Sequence, residues 1–232
     1  MQTTTRMFPQ DLTMFQLEME TLTQWVRDNP HWGWPQDHTF PVEVLSSGNY
    51  GSCFRLKNYP GLVLKTCRSV DDGYPEYIRA VVKLRNPRAW MPKILAHGGN
   101  ELDNDGMFWC VMPEYDNPTG HQSWGNDADF YAAGGQEIMD ACGVDNLKQR
   151  VTVHEPNWLY PEGHVFRHRP KGTRKQKRFM RQVREFLRPM QVAGADVYMH
   201  PNNALLDGKQ WIITDPIAHW SAENKEKFRH AH

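Results

Sequence analysis

The sequence predicts an α+β fold in two lobes, and three observations predict it. Residues 40–113 break into short β-runs separated by turns bearing Gly and Pro. Beyond Pro113-Glu-Tyr115 the texture changes to helix and loop, and a strand–turn–strand unit follows the clearest amphipathic helix of that half. At 232 residues the chain is long enough to bury a substantial core. The expected organisation is an N-terminal helix and aromatic turn over 1–39, a β-rich lobe over 40–113 and a compact, mainly helical lobe over 114–232.

In chain order, Leu12, Phe15, Met19, Leu22 and Val26 recur at three- and four-residue spacings. Residues 11–28 therefore predict a helix leaning on the β-rich lobe, with Asp11 to cap it and Asn29-Pro30 to stop it. His31-Trp-Gly-Trp-Pro35 reads as an aromatic packing turn. Val42–Leu45, Cys53–Leu56 and Leu62–Cys67 predict strands joined by turns at 46–51 and 58–61. A helix over Pro75–Leu84 has proline in its first turn, where the missing N–H costs nothing. Ile94–Ala96 and Phe108–Met112 complete a sheet of five strands.

In the second half, Asp127–Cys142 and Asn146–Val153 are helix candidates, and His154–Gly172, loaded with Pro, Gly, His and Trp, reads as an irregular excursion. Thr173–Gln191 is the clearest helix. Phe179, Val183, Phe186, Leu187 and Met190 form one apolar face, and basic residues form the other.

Composition narrows the function classes. Cys53, Cys67, Cys110 and Cys142 include no CxxC pair, which argues against a zinc site or a disulfide framework and for a reducing cytosol. His121, His154, His164 and His168 read as loop histidines. No charged leader with an apolar run follows Met1, and no run of about 18 apolar residues occurs, so the expectation is a soluble, cytoplasmic protein without a membrane partner. The 27 basic and 27 acidic side chains balance, yet residues 167–188 hold ten Lys/Arg against the single Glu185. Arg174, Lys175, Lys177 and Arg178 head that basic face, which suits an acidic protein or a nucleic acid backbone. Aromatics scarcely interleave, so base stacking along a single strand is not suggested. An ordinary solvated helix face is the alternative.

Four segments point to phosphate chemistry. Gly48 and Gly51, with Tyr50 between them in a β-turn, can let the backbone pass close over phosphates, although two glycines three apart also make an ordinary hairpin. Lys65 ends the apolar run Leu62-Val-Leu-Lys65, where an ammonium needs an anion or solvent; Glu76 in the following helix is its candidate partner. Val111-Met-Pro-Glu-Tyr115 reads as a connecting hinge whose Met112 and Glu114 would flank adenine. Finally, Asp196-Val-Tyr-Met-His-Pro-Asn-Asn203, the run Ala204-Leu-Leu206, a turn at Asp207-Gly-Lys209 and Trp211–Asp215 place Asn203 and Asp215 at matched ends of one hairpin. An amide oxygen and a carboxylate there can share Mg²⁺ and its bridging phosphate oxygens.

These segments run in the order of a protein kinase. His200-Pro-Asn-Asn203 with Ile213-Thr-Asp215-Pro216 resembles the early serine/threonine kinases of podovirus-type bacteriophages, over roughly Leu45 to Trp220. The resemblance implies a protein-kinase-like fold, ATP and Mg²⁺ as cofactors, and host proteins as targets early in infection. One position departs from the pattern. Kinase loops carry the catalytic Asp roughly five residues before the metal Asn, and that position here is Tyr198. A phenol with a pKa of about 10 is a poor acceptor for a hydroxyl proton at neutral pH. Asp196 lies two residues earlier and could serve only if the loop were bulged. Three readings stay open: a weakened or inactive kinase acting by binding, an active Ser/Thr kinase using Asp196, and a binding module acting through the basic helix.

Overall fold

The computed structural model describes residues 12–28, 41–47, 51–102, 106–116, 174–197, 203–208 and 210–231, apart from the side chains of 175–177, 180 and 218. The expected aromatic turn at 31–35, the helices over 127–142 and 146–153, the excursion over 154–172, and Gly48, Tyr50, Tyr198 and His200 lie outside the described residues. The fold is α+β. The chain divides into two compact units, Met1–Asp116 and Asn117–His232.

The first unit is built on an antiparallel sheet of five strands: β1 (Val42–Ser47), β2 (Gly51–Leu56), β3 (Leu62–Cys67), β4 (Ala96–Gly98) and β5 (Phe108–Pro113), in the order β1-β2-β3-β5-β4. Helix α1 (Leu12–Asp28) precedes it, and helix α2 (Tyr74–Lys83) joins β3 to β4. This is the five-stranded sheet with one helix that the sequence predicts for residues 40–113. Strand β4 begins two residues later than the run Ile94–Ala96 suggests; the Leu95 N–H instead donates singly to the Val111 carbonyl, 2.9 Å away, before the regular ladder starts.

Side chains alternate across the sheet, so each strand feeds two faces. Phe54, Leu56, Leu62, Leu64, Trp109 and Val111 point to one face, where they form a core with Phe15, Met19, Leu22 and Val26 of α1. Burying each such side chain contributes about 1.5–3 kcal/mol, which is what holds α1 to the sheet. Leu12, counted in the apolar stripe by its spacing, is exposed: it sits in the first turn, before the helix reaches the sheet. Tyr59 in the β2–β3 turn packs edge-on to Phe15 with centroids 4.8 Å apart and donates its hydroxyl to Glu18 at 2.6 Å.

The opposite face carries Cys53, Arg55, Val63, Lys65, Cys67, Phe108, Cys110 and Met112, as the pairings Cys53↔Lys65↔Cys110 and Arg55↔Val63↔Met112 require. Helix α2 covers part of it: the Tyr74 hydroxyl lies 2.8 Å from Cys110 Sγ and its ring meets Phe108 edge-on. The helix starts at Pro75's turn, where Asp72 Oδ1 accepts the Tyr74 N–H at 2.9 Å, and ends where Leu84 turns extended. Gly51 opens β2 so close to β3 that a Cβ there would collide with the Thr66 carbonyl; sheet geometry alone requires a glycine.

In the second unit, helix α3 (Arg174–Val192) buries Val183, Leu187 and Met190. It ends at Gly194, whose φ of +89° is the left-handed conformation that suits glycine at a helix end, with the Ala195 N–H returning to the Met190 carbonyl. Strands β6 (Asp196–Val197) and β9 (Ile217–His219) pair antiparallel, as do β7 (Ala204–Asp207) and β8 (Gln210–Ile213); helix α4 (Ala222–Ala231) closes the described chain. Trp220, fully buried, donates its indole N–H to the Ala193 carbonyl at 3.0 Å and so ties the start of α4 to the end of α3.

Candidate nucleotide and metal site

In the first unit, Lys65 sits in the middle of β3 with Cys53 and Cys110 beside it on the neighbouring strands. Its ammonium lies 3.8 Å from the Tyr74 ring centroid, so the charge is held by the face of an aromatic ring on α2. Lys65 faces the same side of the sheet as Met112.

Glu76 stands in the first turn of α2 and is buried. Its carboxylate accepts from Arg79 Nη1 at 2.6 Å, and Arg79 Nη2 donates to the fully buried Glu101 at 2.9 Å. Arg79 therefore bridges two carboxylates, with its guanidinium 4.9 Å from the Phe108 ring centroid. Burial pulls the Arg79 pKa down, but hydrogen bonding to Glu101 and the two negative charges outweigh it and leave it raised. Sequence reasoning named Glu76 alone. Arg79, at the i+3 position, was legible from helix spacing, whereas Glu101 had no local signal.

Glu114 follows β5, and both of its polar groups are engaged. Its N–H donates to the Gly61 carbonyl at 2.8 Å, and its carboxylate grips Arg55 through Nε at 2.9 Å and Nη2 at 2.6 Å. The remaining Arg55 nitrogen, Nη1, donates to Glu43 at 2.6 Å. Arg55 was not among the residues that sequence reasoning singled out.

In the second unit, Ala204 pairs with Ile213 and Asp207 with Gln210 around Gly208, whose φ of +62° makes the tight turn. At the open end, Asn203 is clamped to the returning strand: its carbonyl accepts both the Thr214 N–H at 2.8 Å and the Thr214 hydroxyl at 3.0 Å. Asp215 is the next residue. Pro216 behind it confines Asp215 to extended backbone, and the Asp215 Oδ1 oxygen is enclosed by protein. The hairpin thus brings Asn203 and Asp215 to one end.

An amide oxygen and a carboxylate are hard donors that fit Mg²⁺, a cation that takes one or two protein oxygens and fills its octahedron with water and phosphate. No group of three or more His, Cys, Asp or Glu side chains placed to hold a metal occurs among the described residues, so an all-protein cage is not what they build. No helix among them is long and apolar enough to cross a membrane.

Asp196 opens β6, where it pairs with His219 while Val197 pairs with Ile217. The irregularity leaves Ala218 as the extra residue, so the bulge of this strand pair lies on β9. Burial raises the Asp196 pKa above the ordinary carboxylate range, and the charge of His219 opposes the shift. A pKa raised by folding means that stability is full below the unfolded value and is lost as pH rises through the folded one. Ionised Asp196 is therefore a cost at neutral pH. Asp196→Asn is expected to melt above the parent at pH 7, with an advantage that shrinks toward pH 4; a lower melting temperature at pH 7, or an advantage that pH does not alter, counts against this placement.

The head of the basic helix is described in part. Arg174 and Arg178 are exposed, as is Arg181, which forms only a loose pair with Glu185 at 3.8 Å; the Lys175 and Lys177 side chains lie outside the described residues.

No family model matches the chain, and no curated protein matches it. Among solved structures it is similar to a thermostable mutant of aminoglycoside phosphotransferase APH(4)-Ia in ternary complex with AMP-PNP and hygromycin B. That likeness has 14% identity and a TM-score of 0.36, and covers 87% of this chain and 73% of that one. A second thermostable mutant of the same phosphotransferase, with ADP and hygromycin B, is similar at 14% identity and a TM-score of 0.36 over 82% of this chain and 76% of that one. The similarity is remote.

Proposed function

We propose that this chain is a kinase-like protein that binds ATP with Mg²⁺, transfers phosphate weakly or not at all, and acts by binding another protein. The observation that supports the reading is the Asn203–Thr214 backbone clamp, which brings the Asn203 and Asp215 positions to one end of the hairpin. Lys65 supplies the phosphate cation, Glu76 the acidic group of α2, and Gly48, Tyr50 and Gly51 the covering turn. Met112 is the apolar wall for adenine. Tyr198 at the base position accounts for weak transfer.

The resemblance to phage kinases supports a bacterial host protein as the partner, with Arg174, Lys175, Lys177 and Arg178 as the surface that meets it. Partner binding through these cations falls with added salt. A nucleic acid on the same surface would give a comparable salt dependence, and competition by polyanionic RNA separates the two.

The test is thermal. MgATP at 100 times its Kd is expected to stabilise the protein by about 2.7 kcal/mol, and Asp215→Ala should remove the magnesium-dependent part of that shift. An ATP shift that is the same with and without Mg²⁺, and in Asp215→Ala, would sink the metal assignment. A second reading, an active Ser/Thr kinase, has one observation in its favour: the raised pKa of Asp196 makes it a stronger base than a solvated carboxylate. That reading requires autophosphorylation with labelled ATP that disappears in Asp196→Asn.

A further inference from the structure

We propose that Arg55 is a stacking platform for the base of the bound nucleotide. The inference rests on the ATP-binding reading above and adds a specificity-determining residue to it. Arg55 lies on the same face of the sheet as Lys65, because Cys53 pairs with Lys65 and Arg55 stands two residues further along β2. Two side-by-side rows result. Cys53, Lys65 and Cys110 form one; Arg55, Val63 and Met112 form the next, displaced by about 7 Å along the strands. That displacement is of the order of the sugar that separates a base from its phosphates. A nucleotide with its phosphates at Lys65 therefore lays its base over the Arg55 row.

The guanidinium is prepared for contact through its face and not through its edge. Glu114 takes Nε and Nη2 in a fork, and Glu43 takes Nη1, so every nitrogen already donates in the plane of the group. With all three nitrogens held by carboxylates, the guanidinium offers a flat, delocalised cation, the surface on which aromatic rings stack. Arg55 keeps 33% of its side-chain surface open, so the platform is reachable. Glu114 is turned toward other partners, its N–H donating to the Gly61 carbonyl and its carboxylate accepting from Arg55. The Cys53 thiol feels the charges of Lys65, Glu114 and Arg55 together, which places these groups around one point of the sheet face.

The experiment is calorimetric titration of the full chain with MgATP and, separately, with magnesium tripolyphosphate, which has the phosphates and no base. For Arg55→Met and Arg55→Lys the expected result is a loss of roughly five- to thirtyfold in ATP affinity, with tripolyphosphate affinity unchanged. The Lys variant keeps the cation beside Glu114 and loses the plane, so it separates stacking from charge. The platform is overturned if both variants keep their ATP affinity, or lose ATP and tripolyphosphate equally. A parent protein that binds tripolyphosphate as tightly as ATP overturns the platform and leaves the phosphate and metal site standing. A parent that binds neither overturns both.

Discussion

Tyr198→Asp is expected to raise phosphoryl transfer by about 10²–10⁴-fold, the usual contribution of a positioned general base. Phosphoryl transfer draws most of its rate from positioning and charge stabilisation, so a site lacking the base still holds nucleotide and metal and awaits a proton acceptor. The carboxylate would stand roughly five residues before Asn203, as kinase loops have it. Transfer of labelled phosphate from ATP to the chain itself and to a generic basic substrate is the measurement, with MgATP affinity as the control. If affinity is intact in the variant and transfer does not rise, the missing base is not what limits the protein.

Arg79→Met is expected to cost about 3–5 kcal/mol of stability, the range found when one partner of a buried charge pair is removed. The change takes a shared guanidinium from two carboxylates, of which Glu101 is fully buried and Glu76 nearly so. Methionine fills much of the same volume and leaves the charges without that partner. For a chain of this size the melting temperature should fall by roughly 10 °C. A loss below about 1 kcal/mol would show that the bridge is not a structural element of the first unit.

Much of this was readable in the chain. The strand Phe108–Pro113 announces itself as a continuous apolar run and Leu62–Cys67 as one broken only by Lys65-Thr66, because both faces of a central strand are covered. Pro75 and the Asp207-Gly208 turn fix a helix start and a hairpin by backbone rules that act within a few residues. The apposition of Asn203 and Asp215 followed from that hairpin. Pairings across long sequence separations were hidden: Arg55 with Glu114, 59 residues apart, and Arg79 with Glu101, 22 apart. Such pairs depend on which strands become neighbours, and no local pattern encodes that. Gly51 was read as phosphate-binding, yet its closeness to Thr66 is sufficient reason for a glycine.

The three described cysteines lie on the first unit's sheet, and their surroundings make them slow chemically. Burial lifts the Cys53 thiol to about 11 and pushes Cys67 higher still, so almost none is thiolate at neutral pH. Cys110 is fully buried, with its sulfur against the Tyr74 hydroxyl. Alkylation of Cys67 and Cys110, both buried, must then wait for the sheet to open. The rate at which a small electrophile labels them becomes a clock for that opening, and a ligand bound across β2, β3 and β5 should slow it.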